Sequence, residues 1–259
     1  MGIKALALCF GFVLICVGIG IGLWFHLKGK DFSQVILQRC KSYNASGNPE
    51  LRDRDCQQIV EAFTKAFVSK DPCKITWEDY APLLQLTKQA LPCDKIFLWS
   101  KTKGLVEELQ QKQKNDLFLM RDTLIGHMAD NLKWCGKEGS SEINTESCQK
   151  NNCEESPVDV FWKVASKWFA ENVCGVVGVL LSGSVSQAFN RNSIFGSVEV
   201  PNLKRALVTK LQTWVIHNKG GDASDSCSGS SISELEKIVR ERGIVFTCKD
   251  IQSLDQIDT

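Results

Sequence analysis

Ten cysteines spread from Cys40 to Cys248 constrain this chain more than any other feature. They are Cys40, Cys56, Cys73, Cys93, Cys135, Cys148, Cys153, Cys174, Cys227 and Cys248. An even number at this density reads as a disulfide framework closed in an oxidising compartment. A zinc site would need close cysteine pairs with suitable partners. No C-x-x-C occurs and only His127 and His217 accompany these cysteines, so no metal site is expected.

The other two of the 12 cysteines, Cys9 and Cys16, lie in an uncharged run over 5–25. A helix of that length spans about 30 Å, the thickness of a bilayer's hydrocarbon core. The rival reading is a cleaved signal peptide, but the run is long for one and no A-x-A-like site follows it. The expected layout is a short cytoplasmic tail over 1–4, a transmembrane helix over 5–27 and a folded domain over 28–259. Flanking charge alone would keep the domain in the cytoplasm, with Lys4 on one side and His26, Lys28 and Lys30 on the other. The cysteines argue for the outside, and we side with them: a single-pass type II protein of the plasma membrane. Asn44-Ala45-Ser46 is a glycosylation acceptor, consistent with an extracellular domain. The end over 249–259 is too polar for a lipid-anchor signal.

Charged residues are 24% and apolar residues 43%, the balance of a globular chain. A net charge of +1 gives no reason to expect a nucleic-acid partner. The first half reads as helices. Cys56, Ile59, Val60, Phe63 and Phe67 keep helical spacing. Thr76 is a candidate N-cap, and Ser156-Pro157-Val158-Asp159 is a stronger helix start, with a cap, a proline and an early acid. That helix is predicted to run to about Val173. Short apolar runs at 95–100, 176–181, 213–217 and 244–248 read as strands, separated by helical patterns at 105–112 and 232–242. Ser231 and Glu234 suggest a capping box for the last helix, and Gly243 its end. Continuous apolar strands between helices predict a mixed α/β fold with a small parallel sheet covered on both faces. Ligands of such sheets gather at the carboxyl ends of the strands, where Trp99 and Ser100 fall.

The segment 190–200 (NRNSIFGSVEV) is the most suggestive chemically. Phe195, Val198 and Val200 would bury the Glu199 carboxylate, and an alternating strand pattern would set Glu199 opposite the two valines. Gly196 would let a ligand approach the backbone closely. The bland reading of Glu199 is a solvated loop acid. Trp99 and Trp162 suggest indoles that hold a flat base, although tryptophan is more often core. Trp162 and Ser166 share a helix face at i,i+4, so indole and hydroxyl can address one ligand. Asp130 follows a helical pattern and otherwise reads as a surface acid. Together these residues suggest an enzyme that breaks the bond between a stacked base and a sugar.

Several of these blocks together resemble the ADP-ribosyl cyclase/cyclic ADP-ribose hydrolase family, in particular its type II membrane members. The carriers are KIFLWSK at 95–101, DTLIG at 122–126, ADNLKWCG at 129–136, VFWK at 160–163 and NSIFGSVEV at 192–200. The resemblance covers Cys40 to Cys248 and implies two lobes with the active site in the cleft. One lobe is mostly helical, over about 31–92 and 117–172. The other holds the parallel sheet, over about 93–116 and 173–259. It also implies five disulfides: Cys40–Cys56, Cys73–Cys153, Cys93–Cys174, Cys135–Cys148 and Cys227–Cys248. The family's further carboxyl-terminal pair has no counterpart here.

The implied substrate is NAD, with no cofactor. Its cationic nicotinamide leaves as a neutral base, so one carboxylate suffices. Glu199 would bind the ribose hydroxyls and stabilise the oxocarbenium-like centre, electrostatically or as a covalent nucleophile. Trp162 would stack on the nicotinamide, Trp99 would close over the substrate and Asp130 would bond the carboxamide. Ser100, Lys101, Ser166, Lys167, Ser193 and Phe195 would line the phosphate and ribose region. Water would give ADP-ribose, and the substrate's own adenine would give cyclic ADP-ribose. The resemblance leaves a homodimer open. Two departures stand out. Arg121 occupies a position where the family usually has a glutamate that resembles a ligand of the carboxamide. Pointing inward, it would repel the cationic ring; turned to solvent, it would not. Ile194 replaces a usual threonine near the phosphates. The alternative is a surface receptor or NAD-binding module that kept the fold but lost most turnover through Arg121.

Overall fold

Four short strands with apolar residues on both faces meet the condition for a buried parallel sheet. The computed structural model describes residues 31–46, 51–114, 116–146, 148, 153–217 and 224–257. The expected membrane span and tail lie outside the described residues, among which no helix is long and apolar enough to cross a membrane. In chain order the elements are α1 (Phe32–Ala45), α2 (Cys56–Lys65), α3 (Trp77–Thr87), β1 (Phe97–Ser100), α4 (Lys103–Lys112), α5 (Leu124–Ala129), β2 (Cys135–Lys137) and β3 (Ser140–Asn144). They continue with α6 (Pro157–Asn172), β4 (Gly175–Ser182), a π-helical turn (Phe195–Glu199), α7 (Val200–Asn202), β5 (Val208–Ile216), α8 (Ser230–Glu241) and β6 (Val245–Ile251). Strands β1, β4, β5 and β6 form one sheet in the order β1-β4-β5-β6, every pair parallel. Strands β2 and β3 form a separate antiparallel hairpin.

Alternation along the strands divides the core in two. Leu98, Val177, Val179, Leu181, Leu211 and Val215 face a large cluster that continues through α1, α2, α3, α6 and α8. Phe97, Leu180, Trp214 and Ile216 face the other way, against Val106 and Leu109 of α4. The rings of Phe97 and Trp214 stack across this second face, with centroids 5.6 Å apart. The sheet is therefore covered on both sides, as the apolar runs predicted.

Local signals set most element ends. In α6 the Ser156 hydroxyl accepts from the amide of Asp159 at 3.2 Å, and the Asp159 carboxylate accepts from the Ser156 amide at 2.9 Å. Thr76 begins α3, its amide donating to Asp79. Gly243, at φ +74°, ends α8 in the left-handed region that glycine enters freely. The box expected at the start of α8 does not form. Gly229 is the N-cap, and Ser231 is buried inside the first turn. The Ser231 hydroxyl donates to Asp225 and accepts from the amide of Phe189, while Glu234 pairs with Arg191. Tertiary partners outcompeted the local motif.

The five disulfides are Cys40–Cys56, Cys73–Cys153, Cys93–Cys174, Cys135–Cys148 and Cys227–Cys248, the pairs that the resemblance implies. Cys93–Cys174 ties the entry of β1 to the entry of β4. Beside it the Asp94 carboxylate accepts from the amide of Val176 at 2.8 Å. The Cys93–Cys174 disulfide joins residues 81 apart in sequence, whereas Cys135–Cys148 joins residues 13 apart. A disulfide stabilises largely by restraining the unfolded chain, more for a longer loop. Replacing Cys93 and Cys174 by Ala is therefore expected to cost roughly 1–2 kcal/mol more than replacing Cys135 and Cys148. Thermal or urea unfolding of the two double variants checks this, and equal losses would contradict the loop-length argument.

Candidate active site

A cavity of about 480 Å³ opens at the carboxyl end of β1. Its floor is built where α6 meets the π-helical turn. Trp162 and Ser166, one helical turn apart, both face it. Phe161, about 100° around the helix from Trp162, is fully buried. There it stacks on Phe63 with centroids 5.1 Å apart and meets Trp134, Tyr80 and Trp162 edge-on. The Trp134 indole donates to the Tyr80 hydroxyl at 3.1 Å, which donates to the Pro157 carbonyl at 3.0 Å. Burial pushes the Tyr80 phenol well above its ordinary pKa. This packed base fixes α6, and with it the aim of Trp162 and Ser166.

Glu199 ends the π-helical turn rather than lying on a strand. The Val200 amide reaches back to the Phe195 carbonyl, and the wider turn swings Glu199 inward. The alternating strand pattern expected over 198–200 is thus corrected. Gly196 also has a different role from the one predicted: a Cβ there would lie 2.3 Å from the Asn190 carbonyl oxygen. The glycine lets backbone meet backbone, not ligand meet backbone, and so seats the turn.

Glu199 is only 7% exposed and accepts one hydrogen bond, from the Ser166 hydroxyl at 2.9 Å. Burial raises its pKa to about 7, against the opposing pull of the Ser166 bond. A carboxyl so poised sits where acid, base or nucleophilic chemistry at neutral pH needs it.

Trp99, Ser100 and Lys101 reach the cavity from the end of β1. Thr102 anchors that turn by donating to the Leu180 carbonyl at 2.8 Å. Lys101 and Asn131 both have positive φ, 59° and 57°, and both line the cavity. Strained backbone of this kind is often kept at functional sites. Asp130 caps α5 and lines the wall. It is held by Arg39, whose guanidinium donates to the carbonyls of Met128 and Asp130 at 3.1 and 2.7 Å.

Among the residues singled out from sequence, Glu199, Trp99, Ser100, Lys101, Arg121, Asp130, Trp162, Ser166, Ile194 and Phe195 line one cavity. Two do not. Lys167 lies about 100° around α6 from Ser166 and pairs with Glu171. The Ser193 hydroxyl donates to the Asn190 carbonyl at 2.6 Å and accepts from the Gly196 amide at 3.0 Å, so it serves the backbone of the turn. Asn44 lies on α1, and its amide nitrogen donates to the Arg54 carbonyl at 3.2 Å. Sequence reasoning missed Lys103 and Glu107 of α4, which also line the cavity. Their i,i+4 spacing signalled a pair but not the face it would present. Arg121 is neither free in the cavity nor wholly turned to solvent: its guanidinium contacts the Glu107 carboxylate at 2.5 Å.

Comparison with known proteins places this geometry. The rat protein named ADP-ribosyl cyclase/cyclic ADP-ribose hydrolase 1 is 48% identical over 223 residues, 85% of this chain and 73% of the rat protein. A structure of porcine CD38 complexed with a covalent intermediate superposes with a TM-score of 0.81 at 51% identity, covering 87% of this chain and 97% of the porcine one. An Aplysia cyclase complexed with the substrate NGD and the product cGDPR gives 0.76 at 28% identity, covering 86% and 89%. The family model described as ADP-ribosyl cyclase matches residues 29–258. Matched by that model over nearly all of its folded part and 48% identical to the rat relative, this chain belongs to the ADP-ribosyl cyclase family.

Proposed function

We propose that this protein cleaves the nicotinamide–ribose bond of NAD, releasing nicotinamide and forming ADP-ribose, cyclic ADP-ribose or both. The observation that carries the reading is the buried carboxylate of Glu199, set on Ser166 in a cavity that Trp99 and Trp162 also line. The scissile carbon–nitrogen bond breaks with its electron pair passing to the ring nitrogen. The pyridinium then departs as a neutral base and needs no general acid. Positive charge builds on the ribose carbon, and ionised Glu199 stabilises it or bonds to it. Water attack yields ADP-ribose and a proton; attack by the adenine of the same molecule yields cyclic ADP-ribose. Trp162 stacks on the leaving ring, Trp99 covers the substrate, Asp130 meets the carboxamide, and Ser100, Lys101 and Phe195 border the ribose and phosphates. NAD is substrate here, and the step needs no further cofactor.

The pKa of about 7 fits this role. In the empty site, half of the Glu199 carboxyls are protonated near neutrality. An arriving cationic ring favours the carboxylate by Coulomb attraction, so substrate binding ionises the group that attacks it. Activity is expected to rise with pH through about 7 on the acid limb of kcat/KM, which reports the free enzyme. Ser166→Ala removes the one bond that favours the ionised form, so this limb is expected to move to higher pH. A pH–rate profile of the variant checks this, and an unmoved or lowered limb would contradict the assignment.

The same reading extends to the whole chain: a two-lobed ectodomain with the cavity in its cleft, carried by a single-pass type II anchor at the plasma membrane. The ten paired cysteines support the extracellular placement. A homodimer is an open assembly state that sedimentation would decide. The direct test is to incubate the purified protein with NAD and follow nicotinamide, ADP-ribose and cyclic ADP-ribose by chromatography. Nicotinamide release with either product is expected, and NAD bound but intact would overturn the reading.

A further inference from the structure

Four charged side chains alternate in sign along one wall of the cavity. Arg121 contacts Glu107 at 2.5 Å, Glu107 lies 3.9 Å from the Lys103 ammonium, and Lys103 contacts Asp130 at 3.0 Å. All four line the cavity. Lys103 has two carboxylates within reach. Arg121 has Glu107 and, at 4.0 Å, Asp122. Asp122 is a poor substitute: its other oxygen accepts from the Leu119 amide and the Gln110 amide group. Without Glu107 the wall would gain a positive charge, concentrated on Arg121. A sphere of the cavity's volume is about 10 Å across, close to one screening length at 0.1 M salt. No ligand inside would be shielded from that guanidinium.

We propose that Glu107 is a specificity-determining residue: by holding Arg121, its carboxylate keeps the wall close to neutral and so admits a positively charged pyridinium ring. This rests on the reading of the cavity as the NAD site and deepens it. Glu107 does no chemistry. It offsets an arginine that would otherwise repel the ring, and it explains how a chain with Arg121 can still use NAD. The pair comes from two elements, α4 and the turn over Met120–Asp122, and acts as a unit.

The test compares NAD with NADH, which share every phosphate and both riboses and differ in the charge of the nicotinamide ring. Binding is measured by calorimetry on the full chain carrying Glu199→Gln, so that NAD persists. Adding Glu107→Gln is expected to raise the ratio of the NAD to the NADH dissociation constant on the order of 10-fold. Adding Arg121→Gln to that variant is expected to return the ratio to within about twofold of the parent. A purely structural role for Glu107 would weaken both ligands alike and leave the ratio still. An unmoved ratio, or a moved ratio that Arg121→Gln does not restore, overturns the proposal. If Glu107→Gln does not fold, Arg121→Gln alone carries the test. It removes one positive charge and leaves Glu107 with only the Lys103 ammonium, 3.9 Å away, so the wall turns net negative, the ratio is expected to fall, and a constant ratio overturns the proposal. Failure of the parent to bind either ligand overturns both this proposal and the reading beneath it. Bound NAD with a constant ratio overturns this one alone.

Discussion

Glu199→Gln is expected to lower NAD turnover on the order of 10³-fold or more, because the amide can neither neutralise nor bond to the cationic ribose centre. The same change is expected to make the protein more stable at alkaline pH. An ordinary glutamate titrates near 4.5, and Glu199 titrates near 7 in the fold. Between those values the unfolded chain has released its proton while the folded chain retains it. Stability therefore falls as pH rises from about 4.5 and levels off above about 7. Glutamine has no proton to lose and escapes that cost. The variant is expected to exceed the wild type by on the order of 2–3 kcal/mol at pH 8, and by far less at pH 4.5. Nicotinamide release measures the first effect, and unfolding at the two pH values measures the second. Full activity in the variant would remove Glu199 from the mechanism. A stability difference that ignores pH would mean that its ionisation is not penalised by burial. Both effects together would mark a site whose chemistry is kept at the expense of stability.

Phe161→Ala is expected to cost about 3–5 kcal/mol. The ring is fully buried and has four aromatic neighbours: Phe63, Tyr80, Trp134 and Trp162. Removing it leaves a cavity that rigid rings cannot collapse to fill. Function should follow, because the Phe161 ring supports the indole of Trp162 from the side. In protein that remains folded at low temperature, KM for NAD is expected to rise more than kcat falls. Phe161→Leu keeps most of the volume and is expected to cost far less, about 1–2 kcal/mol. Urea denaturation and steady-state kinetics on the two variants check the order. Equal losses would mean that the aromatic cluster is looser than its geometry indicates.

Much of the architecture was legible in the chain because its signals are local. Val177, Val179 and Leu181 alternate with Leu180, and an apolar residue at every position means that both faces of the strand are covered. Ser156, Pro157 and Asp159 start a helix through bonds that span only three residues. Much of the candidate site was legible too, through the resemblance of its blocks. Where that legibility failed, a distant partner had entered. Ser231 looked like a cap until Asp225 and the Phe189 amide claimed its hydroxyl. Ser193 looked like a ligand-facing hydroxyl, but the Asn190 carbonyl and Gly196 amide occupy it. Lys167 was one residue from a true lining position, and one residue on a helix is a quarter of a turn.

The sequence by itself determined the oxidising framework, the parallel sheet and the helices around it, because cysteine content, alternation and caps act over short stretches of chain. Only the tertiary structure decided what Glu199 and Arg121 are. The first depends on a π-helical turn seated by backbone contact at Gly196 and on burial that shifts its proton affinity. The second depends on a carboxylate 14 residues away, on another element, that faces the same cavity. Charge and proton affinity are set by what surrounds a group, and those surroundings exist only once the chain has packed.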